Sequence, residues 1–188
     1  MPGSYPEFRW QDGGLEDAGL LSRLSVAGRR ETYPGLMPEA VLGSQETNPS
    51  HDPEGWRRRL ARRPPDRWTR ILLAPEPPGD PISFLWFGRE EGRLASYRGE
   101  IENIYLLKAA QGRGLGRAAM AHAFQTLGAA GLAPMAVWAF EANDRARRFY
   151  ERLGDRPLGH RELVFSAEGR QFWETAFGWP DGLRGPHG

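Results

Sequence analysis

KAAQGRGLGRAAM, at residues 108–120, places three glycines at every second position and then continues into helix-favouring alanines. The strand-like segment EIENIYLLK, residues 100–108, comes directly before it. Glycine lets a ligand approach the backbone and permits positive φ. The first N–H groups of a helix have no partner within the helix and lie at the positive end of its dipole. A strand followed by bare backbone and a helix start therefore predicts a phosphate site.

Other phosphate-binding motifs do not match this stretch. A Walker loop needs Gly-Lys followed by Ser or Thr, whereas Arg117 and Ala118 follow Gly116. A dinucleotide fingerprint that began at Gly112 would need a glycine where Arg117 stands. The downstream signatures of a protein kinase are missing from the sequence. Nucleoside triphosphate hydrolysis and dinucleotide binding are therefore disfavoured.

The longer string ENIYLLKAAQGRGLGRAAM resembles the acyl-coenzyme A binding motif of the GNAT superfamily of N-acetyltransferases, in which a strand leads into Q/R-x-x-G-x-G/A at a helix start. The resemblance implies that backbone amides of the turn hold the pyrophosphate of acetyl-coenzyme A and that the end of the strand pairs with the pantetheine arm. The implied coenzyme-binding residues are Ile104, Tyr105, Leu106, Gln111, Gly112, Arg113, Gly114, Leu115, Gly116 and Arg117.

A second stretch, VWAFEANDRARRFYERLGDR at residues 137–156, looks like a later motif of the same family. Asn143 can cap the helix there, and Gly154 suits the end of that helix. We count Asn143 among the coenzyme-binding candidates. The resemblance implies that Tyr150 is the acid that protonates the departing thiolate, although Phe149 and Tyr150 also fit a plain core stripe.

Transfer of an acetyl group to an amine needs a proton acceptor, because a typical amine is protonated at neutral pH. Glu100 and Glu102 lie two residues apart on the predicted strand and are the candidate bases, directly or through a water; both also fit solvent-facing or ion-paired charges. A backbone N–H near Leu106 would meet the developing oxyanion. Tyr33 is the candidate substrate-binding residue. Leu36, Trp56 and the loops around residues 43–55 and 96–99 are other possible walls of the acceptor pocket.

Apolar patterning predicts interrupted helices in the first third, strands at residues 68–74, 81–90, 100–108 and 135–140, two helices flanking the last of these, and two more strands in the tail. The predicted fold class is α/β (α+β), a mixed, largely antiparallel central sheet of about six to seven strands flanked by helices and GNAT-like. We expect one acyltransferase domain over residues 1–188, with a helical acceptor-side region at 1–65 and the sheet and coenzyme-binding core at 68–180. The opening RRETYPGLMPEAVL resembles that of many bacterial members of the family.

The amino-acid composition limits the kinds of partner that the protein is expected to bind. A net charge of +1 argues against a protein that binds nucleic acid over its whole surface, although a local basic patch at residues 56–67 stays a remote alternative. The basic run there, WRRRLARRPPDR, fits a short helix with a solvated face and a thin apolar stripe. The apolar runs are too short to cross a bilayer, and no signal peptide is visible. The four histidines show no ligand spacing, so no metal is expected. The lack of cysteine fits a cytoplasmic protein, which we expect to be a monomer or a homodimer.

The function predicted from these observations is an acetyl-coenzyme A dependent N-acetyltransferase that acts on a primary amine of a small molecule by direct attack. One alternative keeps the chemistry but makes the acceptor a protein N-terminus or a lysine side chain. A second alternative is a non-catalytic module that binds or senses acyl-coenzyme A.

Overall fold

The computed structural model describes residues 9–43, 51–74, 79–154 and 156–180. This part of the chain contains five helices and seven strands, with short 3-10 turns at Leu15–Asp17 and Lys108–Ala110. In chain order the elements are β1 (Arg9–Asp12), α1 (Ala18–Thr32), α2 (Glu39–Gly43), α3 (Pro53–Ala61), β2 (Arg67–Leu73), β3 (Pro81–Arg89), β4 (Gly99–Leu106), α4 (Leu115–Ala129), β5 (Met135–Phe140), α5 (Asp144–Arg152), β6 (Arg156–Ala167) and β7 (Arg170–Trp179).

The strands form one seven-stranded sheet in the order β1-β2-β3-β4-β5-β7-β6. β4 and β5 are parallel, through pairs such as Glu100 with Ala136. β1 pairs antiparallel with β2, and β7 pairs antiparallel with both β5 and β6. The predicted mixed, largely antiparallel sheet is therefore confirmed.

The sequence did not predict β1. Its four residues, RWQD, pair with β2 from Arg9 opposite Leu73 to Asp12 opposite Arg70. Three of the four are exposed, so no buried alternation marks the segment as a strand. Backbone pairing to the edge of β2 therefore makes it a strand, together with an ion pair of 2.6 Å between Arg70 and Asp12.

By backbone contacts the chain forms two compact units. One comprises the described residues up to Trp86 together with Asn103–Ala118; the other comprises Phe87–Glu102 and the described residues from Ala119 onward. The expectation of a single domain with a helical region at 1–65 and a core at 68–180 stays a prediction.

The core of the first unit lies where α1 and α3 cover the first strands of the sheet. Trp56 of α3 is fully buried and packs edge-on against Phe84 and Trp86 of β3. Arg59 lies over both tryptophan rings at 4.9 and 4.8 Å. Residues 56–61 of the basic run thus belong to a short helix with an apolar stripe, as predicted, whereas the rest of the run lies beyond the end of α3 and reaches the start of β2. Because Trp56 has no exposed surface, its prediction as a wall of the substrate pocket is wrong.

The core of the second unit includes an aromatic cluster between α5 and β7. The Tyr150 ring lies 5.5 Å from Phe177 and 5.8 Å from Trp179, and the Trp179 ring meets Phe124 of α4 edge-on. The indole N–H of Trp179 donates to the carbonyl of Leu153, just after α5. These contacts hold α5 against the sheet and set the position of Tyr150.

Candidate active site

The end of β4 has one backbone edge turned towards β3. The Ser83 hydroxyl donates to the carbonyl of Tyr105 at 2.7 Å, and the N–H of Leu107 donates to the carbonyl of Ile82 at 3.1 Å. Because backbone groups of successive strand residues point to opposite edges, the N–H of Leu106 points away from β3. The resemblance assigns the pantetheine arm to this end of β4.

Gln111 ties the following turn to that strand. Its side-chain amide donates to the carbonyl of Leu106 at 2.6 Å. Ala110 and Leu115, on either side of the exposed part of the turn, are 2% and 1% exposed and pack with Leu72 in a small core cluster. The turn is therefore anchored at both ends while residues 112–114 face solvent.

The glycines of the turn adopt the conformation that their residue type allows. Gly112 and Gly114 have φ of +76° and +77°, which L-residues rarely adopt. Gly116 lies in the first turn of α4, which begins at Leu115. The bond from the N–H of Ala118 to the carbonyl of Gly114 starts the helix, so the N–H groups of Leu115 and Gly116 have no carbonyl one turn earlier. These donors, with the positive end of the helix dipole, suit a diphosphate.

Ile104, Tyr105 and Leu106 are half-buried at the end of β4. Tyr105 packs with the core under α1, and Leu106 packs with the cluster that anchors the turn. Arg113 is exposed and Arg117 is half-buried, so the turn also carries positive charge. The structure brings all these predicted coenzyme-binding residues together in one unit.

Glu100 lies in a buried ion pair. Its side chain is 1% exposed and accepts two hydrogen bonds, of 2.9 and 2.7 Å, from Arg93. Burial lowers the pKa of Arg93, but the negative charges of Glu100, Glu162 and Glu90 outweigh burial and raise this pKa above its ordinary value. This arrangement matches the ion-pair alternative that the sequence left open for Glu100.

Glu90 and Trp138 complete the surroundings of Arg93. The Glu90 carboxylate accepts hydrogen bonds from the backbone N–H groups of residues 92–94, which fixes the loop that carries Arg93. The guanidinium lies 4.8 Å from the centre of the Trp138 ring. Glu102, two residues beyond Glu100 on β4, is half-buried.

Tyr150 and Asn143 lie at the two ends of α5. Tyr150 is 4% exposed, within the aromatic cluster described above. The Asn143 side chain accepts a hydrogen bond of 3.1 Å from the N–H of Ala146, so Asn143 caps the helix as its sequence position predicts. A role for Asn143 towards the coenzyme stays a prediction.

Tyr33 closes the C-terminal end of α1. It is 8% exposed, and its N–H donates to the carbonyl of Arg29 at 2.9 Å. Its ring lies beneath the guanidinium of Arg29, 5.7 Å from the guanidinium carbon. Residues 44–50, part of the loop considered as a pocket wall, lie outside the described residues.

Sequence reasoning missed Arg29, Glu31 and Arg93. Glu31 of α1 accepts a hydrogen bond of 2.6 Å from the N–H of Lys108, at the start of the coenzyme-binding turn. Neither this contact nor the pair of Arg93 with Glu100 follows a helical or strand spacing, so no local pattern could have revealed them.

No helix within residues 9–43, 51–74, 79–154 and 156–180 combines the length and apolar character needed to cross a membrane. No group of three or more metal-ligating side chains comes together in the same part of the chain.

The model of the acetyltransferase (GNAT) family matches residues 35–155, well over half of the chain. The chain therefore belongs to the GNAT family and is an acetyl-coenzyme A dependent acyltransferase. The resemblance stated from the sequence is confirmed.

Two curated relatives and one solved structure illustrate the similarity. The uncharacterized N-acetyltransferase YuaI of Bacillus subtilis (strain 168) is 29% identical over 167 residues, 89% of this chain and 90% of that protein. Mycothiol acetyltransferase of Arthrobacter sp. (strain FB24) is 31% identical over 150 residues, 76% of this chain but 46% of that protein. PaiA N-acetyltransferase of Thermoplasma acidophilum, crystallised with coenzyme A, has a TM-score of 0.68 at 16% identity, over 90% of this chain and 98% of that one, which shows a shared fold.

Proposed function

We propose that this protein transfers an acetyl group from acetyl-coenzyme A to a primary amine of a small molecule by direct attack. The observation that carries the proposal is the anchored, solvent-facing turn at residues 112–114, with two glycines at positive φ and the first N–H groups of α4 beside them. The name of one relative, mycothiol acetyltransferase, refers to a small molecule and not to a protein, which supports a small acceptor.

The proposed roles follow the chemistry of thioester aminolysis. Glu102 accepts a proton from the amine, directly or through a water, because Glu100 is already engaged with Arg93. The amine nitrogen forms a bond to the thioester carbon while the carbon–sulfur bond breaks. The N–H of Leu106, on the edge of β4 turned away from β3, meets the oxyanion. Tyr150 gives its proton to the leaving thiolate.

The test is a measurement of thiol release with acetyl-coenzyme A and a panel of primary amines. The panel contains small amines together with peptides that offer an N-terminus or a lysine. Acetylation of small amines with a kcat/KM at least roughly tenfold above that of every peptide supports the proposal. The reverse preference would replace it with the peptide alternative.

Two single variants distinguish a catalytic protein from one that only binds or senses acyl-coenzyme A. Tyr150→Phe and Glu102→Gln should each lower kcat by about 10²–10⁴-fold, the usual contribution of a general acid or base, with the affinity for acetyl-coenzyme A within about twofold of the wild type. Glu151→Gln, an exposed neighbour of Tyr150 on α5, is the matched control and should leave kcat unchanged. Binding of acetyl-coenzyme A without acetylation of any amine would favour the non-catalytic alternative.

A cytoplasmic location and a monomeric or homodimeric state belong to the same proposal. The sequence without cysteine supports the first. Sedimentation of the purified protein with and without acetyl-coenzyme A tests the second.

A further inference from the structure

Arg29 is a buried cation, and the described residues offer little to balance its charge. Its exposed fraction is 6%, and no carboxylate among the described residues lies within ion-pair distance. Its Nη2 donates to the sulfur of Met37 at 3.7 Å, its guanidinium lies over Tyr33, and its buried Nε has no hydrogen-bond partner.

Met37 and Tyr33 stabilise the permanent charge of Arg29 only weakly. An arginine stays protonated at every physiological pH, and a buried charge that lacks a paired anion is costly. A thioether accepts hydrogen bonds poorly, and one aromatic ring offsets a small part of that cost. The negative end of α1 adds a favourable field but no acceptor for Nε. The arrangement is therefore typical of a side chain that receives an anionic ligand.

The helix that carries Arg29 contacts the end of β4, where the thioester is predicted to bind. Gly28, the neighbour of Arg29 in α1, lies so close to Tyr105 that a Cβ atom there would be 2.7 Å from the Tyr105 side chain. Glu31 bonds to the N–H of Lys108. The last turns of α1 therefore lie across the end of β4, where the pantetheine arm is proposed to bind.

We propose that Arg29, with Tyr33 beside it, binds a carboxylate of the acceptor, so that the substrate is an amine that also carries a carboxylate, as an amino acid does. The proposal rests on the proposed function and narrows its substrate class. The five N–H donors of a guanidinium form a fork that matches the two oxygens of a carboxylate. Bound in this way, the carboxylate fixes the orientation of the amine towards the thioester.

The test compares matched pairs of acceptors, each an amino acid and its carboxamide, with the wild type and with Arg29→Gln, Arg29→Lys and Arg62→Gln. For each protein the ratio of kcat/KM for the two members of a pair is measured by thiol release. Comparing ratios between proteins cancels the different basicity of the two amines. Arg62 is an exposed arginine at the end of α3 and controls for the loss of one positive charge.

In Arg29→Gln the ratio should fall roughly ten- to hundredfold, the loss expected for a charge-assisted bidentate contact. Arg29→Lys should keep part of the preference, and Arg62→Gln all of it. An equal fall for both members of every pair would mean that Arg29 is only structural and would overturn the proposal. Thermal melts and acetyl-coenzyme A titrations of each variant identify any that fail to fold.

The carboxylate site can also be tested if the proposed function is wrong. If the wild type binds acetyl-coenzyme A but acetylates no amine, binding of the same amino acids and carboxamides is measured by thermal shift. Stabilisation of the wild type by an amino acid, absent with its carboxamide and lost in Arg29→Gln, supports the carboxylate site even then. Equal shifts in the wild type and Arg29→Gln would overturn it.

Discussion

Replacing Arg93 by methionine removes the cation that faces the buried carboxylate of Glu100. The wild-type pair has two hydrogen bonds, of 2.9 and 2.7 Å, and the Glu100 side chain is 1% exposed. Glu90 and Glu162 lie 3.9 and 3.6 Å from the same guanidinium. The variant therefore leaves three carboxylates near one another without the positive charge that now lies among them.

The size of the effect follows from burial. Removing one partner of a fully buried ion pair costs about 3–5 kcal/mol. Because the Arg93 side chain is 32% exposed, water screens part of the interaction, and we expect a loss of about 2–3 kcal/mol in the free energy of unfolding. For a chain of this length that loss lowers Tm by roughly 4–12 °C. Urea unfolding followed by tryptophan fluorescence measures the first quantity, and calorimetry the second.

Two controls make the prediction refutable. Arg57→Met breaks an ion pair of 2.9 Å with Glu54 whose side chains are 58% and 54% exposed, and should cost less than about 0.5 kcal/mol. The double variant of Arg93→Met with Glu100→Gln should lose less stability than the sum of its two single variants, because the amide needs no cation. If Arg93→Met costs no more than Arg57→Met, or if the two single effects simply add, the buried pair does not stabilise the fold as argued.

Three other substitutions have distinct expected outcomes. Gly28→Ala should cost about 1–3 kcal/mol in urea unfolding, since its Cβ would lie 2.7 Å from the Tyr105 side chain; an unchanged stability would show that α1 shifts freely. Gly114→Ala, at a φ of +77°, should weaken acetyl-coenzyme A binding roughly tenfold by calorimetric titration, while Gly131→Ala, at +72°, should impose similar strain and leave binding intact. Asn143→Ala should lower the free energy of unfolding by about 1 kcal/mol through loss of the helix cap, and a large rise in the KM for acetyl-coenzyme A would instead support a coenzyme-binding role.

Local patterns predicted most of the fold. The strand boundaries at 81–90 and 135–140 differ from the observed β3 and β5 by at most one residue, because short runs of apolar and aromatic residues bounded by turns leave little choice. The sequence did not predict β1 because this edge strand has four residues and is mostly exposed. Its backbone pairing with β2, and not the pattern of its own side chains, makes it a strand. The tertiary structure also shows that Trp56, a candidate pocket wall by its sequence position, is a core residue.

For the site, the sequence alone determined the glycine turn, since positive φ and a helix start are properties of neighbouring residues. Only the tertiary structure decided which charges meet. Arg93 lies seven residues from Glu100, and Lys108 lies 77 residues from Glu31. Whether a charge is paired, and whether Arg29 has an anion beside it, depends on burial and on distances between separate elements, which no spacing along the chain encodes.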